Sequence, residues 1–110
     1  MAKYLISFPA DAMVVSEQDF PTVVAESHAV IEQAKAAGLY VFGGGIDAAV
    51  EPVLVSAEGS TMPFAGRRLD GGFTVLELAT RADALEWASR IAAACRCPQE
   101  LRQFGFDPAS

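Results

Sequence analysis

The chain holds one histidine, His28. Histidine is the side chain whose unperturbed pKa of about 6.5 lets it exchange protons near neutral pH. Val24, His28, Ile31 and Lys35 recur three to four residues apart, with Val23, Ser27, Val30 and Ala34 on the adjacent stripe, so the spacing predicts a helix with His28 facing a sheet or its rim. Two readings of His28 stand. One is a partly buried imidazole hydrogen-bonded to a neighbour, in keeping with histidine's intermediate burial. The other is a general acid or base. Asp47, just past three glycines, is either a solvated turn residue or an acid near His28.

Other motifs carry less chemistry. Cys95 and Cys97 are separated only by Arg96. A disulfide across one residue is strained and closes almost no loop, and two thiolates without further ligands make a poor zinc site. Reduced thiols at a helix end are expected, with no metal and no cofactor. Gly43-Gly44-Gly45 lacks the lysine and the serine or threonine of a phosphate loop, and Pro52 leaves no room for a following helix. The glycines are expected to mark a bulge or a close backbone approach. No serine sits in a Gly-x-Ser-x-Gly elbow.

The elements that must position these groups can be read in order. Alternation over residues 3–8 predicts a strand ended by Pro9, followed by a connector over residues 10–20, long enough to cover a pocket. The first helix is expected over residues 21–37, with Asp19 as N-cap, Pro21 in the first turn and Gly38 closing it. Residues 39–42 read as a buried strand and residues 53–55 as a third, turning at Glu58-Gly59-Ser60; residues 73–78 read as a fourth. The second helix spans residues 81–94, with Thr80 and Asp83 resembling a capping box. Its expected buried stripe is Leu85, Ala88, Ile91, Ala92 and Cys95, with Trp87 at an edge or interface. Residues 100–106 read as a last strand.

With 110 residues, the chain is expected to form a single domain over residues 1–110. Apolar residues make up 52% and charged residues 20%, which excludes a disordered chain. A net charge of −6, with Arg67-Arg68 the only local basic pair, argues against nucleic acid. No apolar run approaches the ~20 residues of a membrane span, and Met1-Ala2-Lys3-Tyr4 leads straight into a strand. The expectation is a cytoplasmic protein with no membrane association.

The order β-α-β-β-β-α-β describes an α+β fold, close to the ferredoxin-like pattern, with two helices on one face of an antiparallel sheet. An apolar uncovered face argues for a partner, and a symmetric homodimer is expected. From the opening Lys3-Tyr4-Leu5-Ile6 strand, through Ala36-Ala37-Gly38-Leu39-Tyr40-Val41, to Gly71-Gly72-Phe73, Asp83-Ala84-Leu85-Glu86-Trp87-Ala88 and Glu100-Leu101-Arg102, the chain resembles the YCII-related family. The likeness is to the branch named for an Asp-Gly-Pro-Phe motif, within the dimeric α+β barrel superfamily. Where that branch has its motif, this chain reads Thr61-Met62-Pro63-Phe64, so the acid and its glycine are missing.

The resemblance implies a histidine–aspartate acid/base pair, with His28 matching the helix-borne histidine and Asp47 the aspartate. If the motif's aspartate carries chemistry in that branch, the chemistry is lost here; if Pro63-Phe64 only shapes a turn and fills a cleft, that role is kept. The expected enzyme is small and cofactor-free, working on a carbonyl or lactone-like compound in a pocket walled by Phe8, Phe42 and Phe64. The competing reading is a homodimeric domain that binds a small molecule or a protein without turnover.

Overall fold

The structure, a computed structural model, describes residues 1–63 and 69–110. Four strands form one antiparallel sheet: β1 (Ala2–Phe8), β2 (Tyr40–Gly45), then, after a hairpin, β5 (Gly72–Leu78), and β6 (Glu100–Gln103). Their order across the sheet is β2-β5-β1-β6. The hairpin pairs β3 (Val53–Val55) with β4 (Thr61–Pro63) as a separate two-stranded sheet. Residues 53–55 are therefore a strand, as expected, but not part of the main sheet, and β4 was not foreseen. The expected site residue Phe64 and the Arg67-Arg68 pair lie outside the described residues.

Two helices, α1 (Phe20–Ala36) and α2 (Arg81–Cys95), cover one face of the four-stranded sheet. Period-two alternation decides which side chains they meet. Tyr4, Ile6, Leu76 and Leu78 point towards the helices and are almost fully buried with Ala34, Ala84, Trp87 and Ile91. Leu5 and Val75, opposite one another in the register, point to the other face.

The ends of α1 divide between expectation and correction. Asp19 occupies the cap position, but its backbone is helical and its side chain makes no capping bond. Ser16 takes over: its carbonyl accepts the N–H groups of Asp19 and Phe20, and its Oγ accepts Asp19 N–H at 3.2 Å. At the other end Gly38 adopts φ +75° and donates to the Lys35 carbonyl, while Leu39 donates to Ala34. This is the Schellman closure, and a residue with a β carbon would be strained there.

In α2, the Thr80 hydroxyl accepts Asp83 N–H at 3.1 Å, as its capping role requires. The buried stripe is Ala84, Trp87, Ala88, Ile91, Ala94 and Cys95. Leu85 is 54% exposed and Trp87 is 9% exposed, so both assignments change places. Trp87 has the largest apolar area to hide, and flanking alanines let its helix approach closely. The Arg90 guanidinium covers the indole from outside, 4.5 Å from its centroid.

β2 departs most from expectation. It is an edge strand rather than a buried one, with Phe42 65% exposed, and it runs on through all three glycines. The register shift lies between Tyr40 and Phe42, ahead of the glycines.

Candidate functional site

Three register rows cross the helix-covered face, and they explain why a cavity exists. One row holds Tyr4, Leu76 and Tyr40; the next Ile6, Thr74 and Gly43; the last Phe8, Gly72 and Gly45. In the last two rows β2 contributes no side chain. Because α1 lies nearest β2, the missing side chains leave a void between helix and sheet. It measures about 490 Å³, within the range of small-molecule sites.

Gly72 has a further reason to be glycine, since a β carbon there would come within 2.6 Å of the Phe8 ring. At Gly71 a β carbon would collide with the Phe8 carbonyl. The end of β1 and the start of β5 thus cross at a distance only glycine permits.

The roof is one side of α1. Ser27, His28, Ile31, Glu32 and Lys35 all line the space. Ser27 returns its hydroxyl to the Val24 carbonyl at 2.9 Å, so it is spoken for within the helix. Lys35 Nζ stands 3.2 Å from Glu32 Oε1 and 5.1 Å from the centroid of the Tyr40 ring. Met13, from the connector after β1, closes one side, in line with the covering role expected of that segment. Ile91, Cys95 and Gln99 close the far wall.

His28 is exposed at the residue level while lining the cavity, which places its ring at the mouth. Among the described residues no hydrogen bond or ion pair engages it, so it lacks the neighbour that a structurally fixed imidazole would have. Phe8 also lines the cavity, as expected. Phe42 does not; its alternation puts it on the other face of the sheet, opposite Val75. Pro63 ends the separate hairpin, exposed and apart from the cavity lining.

Asp47 lies in an exposed turn, where its carboxylate accepts Ala49 N–H at 2.9 Å and its carbonyl accepts Val50 N–H at 3.2 Å. No hydrogen bond or ion pair joins it to His28, and it is not part of the cavity lining. The acid that shares the lining with His28 is Glu32, one helical turn along. Glu32 and Tyr40 were not singled out by sequence. Lys35 was already on the histidine's stripe.

Cys95 has a pKa pushed up to about 11, first by burial and then by the neighbouring Cys97; burial also raises the Cys97 thiol, against a lowering hydrogen bond from Gln99. Both are held as neutral thiols rather than nucleophilic thiolates. Among the described residues no three histidine, cysteine or acidic side chains converge to hold a metal ion, and no helix is long and apolar enough to cross a membrane.

The chain matches no model of a known protein family, and no curated protein matches it. The site must speak for itself.

Proposed function

We propose that this is a YCII-related protein with a ferredoxin-like fold, forming a homodimer of the dimeric α+β barrel type. We read it as a small cofactor-free enzyme in which His28 moves a proton on or off a carbonyl or lactone-like substrate. One observation carries the enzymatic part: the chain's single histidine, engaged by no described residue, stands at the mouth of an apolar-walled cavity. A general base needs a free ring nitrogen within reach of a bound substrate, and that position provides one. The ferredoxin-like part draws support from the chain order, which runs β-α-β-β-α-β once the β3–β4 hairpin is set aside.

The test is deuterium exchange at the carbon beside the carbonyl, followed by NMR over a panel of small lactones and 2-oxo acids. Wild-type protein is expected to catalyse exchange, and His28→Ala to slow it by about 10²-fold or more. No exchange with any compound, or equal rates in the variant, overturns the proposal. In the same assay Asp47→Asn and Glu32→Gln identify which acid orients the imidazole. If neither matters, His28 acts without a carboxylate partner.

The replacement of Asp-Gly by Thr61-Met62 favours a second reading, a binding domain without turnover. In that case His28→Ala leaves ligand affinity unchanged.

The dimer reading rests on the uncovered sheet face, where Leu5, Val75 and Phe42 form an apolar strip flanked by Lys3 and Glu77. A strip carrying both charges can meet its own copy across a two-fold axis. Sedimentation velocity at micromolar concentration is expected to give a dimer that Phe42→Glu converts to monomer. A monomeric wild type would sink this part.

A further inference from the structure

A second group in the same cavity has the means to act on a ligand: the Tyr40 hydroxyl. Tyr40 opens β2 in the row of Tyr4 and Leu76, and its ring runs along the strand. A β carbon on residue 43 would stand 2.9 Å from the Tyr40 hydroxyl oxygen, 3.4 Å from its Cε2 and 3.2 Å from the Phe73 carbonyl. The phenol therefore lies over Gly43 because nothing projects from that residue. Lys35 sits over the ring and is itself paired with Glu32, which compensates its charge. Among the described residues no hydrogen bond engages the hydroxyl, and no buried side-chain polar atom is left without a partner. The hydroxyl thus keeps an open side, facing the space that Tyr40 lines.

We propose that Tyr40 donates a hydrogen bond to a ligand oxygen, and that the ligand is a small, flat, largely apolar molecule bearing a carbonyl or enolate oxygen. Flatness follows from the floor, which along β2 is bare glycine backbone, and apolarity from Ile6, Phe8, Ile31 and Ile91 around it. The proposal rests on the acid/base reading in this way. The C–H bond beside the carbonyl breaks and its proton passes to the His28 imidazole. The electron pair forms the C=C bond, and the negative charge gathers on the oxygen that Tyr40 holds. The imidazolium then returns the proton to carbon, so no other reactant is consumed. A donor aimed at the oxygen where charge develops is among the most effective catalytic devices. Gly43 is the positioning residue, and Tyr40 touches the substrate.

Two probes of one shape separate the oxygen contact from simple packing: 4-nitrophenolate and nitrobenzene, with binding measured by absorbance and calorimetry. Wild type is expected to prefer the phenolate by at least about tenfold, the scale of a hydrogen bond to a charged oxygen. Tyr40→Phe should abolish that preference while leaving nitrobenzene affinity unchanged. Gly43→Ala should weaken the preference with the hydroxyl still present, which a merely structural tyrosine would not show; unchanged melting temperatures confirm that both variants fold. A preference that survives Tyr40→Phe overturns the proposal, as does failure of either probe to bind the wild type. Neither probe is turned over, so an inert His28 leaves this result intact and the two readings fail separately.

Discussion

The two helices lie on the same sheet face, yet they meet it differently. α2, nearest β5 and β6, sets Ala84, Trp87, Ala88 and Ile91 against Leu76, Leu78 and Tyr4. α1, nearest β2, buries only Val23 and Ala34, and holds its polar residues over a void. Neither helix is the more strongly apolar-faced by design; the sheet beneath them differs. Against α2 the inward side chains Tyr4, Leu76 and Leu78 are large and buried, whereas under α1 two inward positions of β2 are glycine. The cavity is made by subtraction from the sheet, and the helix above it is free to carry a histidine, a glutamate and a lysine.

This contrast can be broken by mutation. Trp87→Ala empties the packed side and is expected to cost about 3–5 kcal/mol. Ile31→Ala, over the void, should cost under about 1 kcal/mol because few atoms there lose partners. Equal losses in urea denaturation would mean that the two sides are packed alike.

A smaller effect is expected at Cys95, which belongs to the core and also lines the cavity. Its pKa rises from 9.0 to about 11 on folding. The folded state therefore keeps a proton that the unfolded chain gives up, so the contribution is whole below about pH 9 and lost as pH rises through about 11. Between those limits wild type should lose on the order of 1–2 kcal/mol more than Cys95→Ala. Parallel pH profiles for the two proteins would show that water already reaches the thiol.

Local chemistry in the sequence announced the elements well. Residues 21–37 and 81–94 announced helices through their spacing and ends, and Gly38 and Thr80 act as their residue types suggest. Pairing was harder to read. Val53-Leu54-Val55 has the composition of a sheet strand, but nothing local says that it pairs with residues 61–63 in a sheet of their own. Leu39-Tyr40-Val41-Phe42 looks like a buried run because a short apolar stretch does not reveal whether it lies at an edge. The same ambiguity hid the site. His28 and Phe8 were legible from residue type and alternation, whereas Tyr40 became visible only when the register laid its hydroxyl over Gly43. Leu85 and Trp87 differ for a related reason: one helical stripe admits two phases, and the bulkiest ring decided between them.

α1 is a beam with a deeply buried support near each end. Its only buried residues, Val23 and Ala34, stand near its ends, about 16 Å apart along the axis. Arg96, in the left-handed conformation just past α2, reaches Asp19 at 3.9 Å and Glu26 at 3.8 Å, steadying the first support from outside. The Schellman turn fastens the second directly to β2. His28 is the middle residue of the 17 in the helix. Between the supports Val30 is partly buried against the core, so the histidine stands over the cavity on a helix held at its middle as well as at its ends.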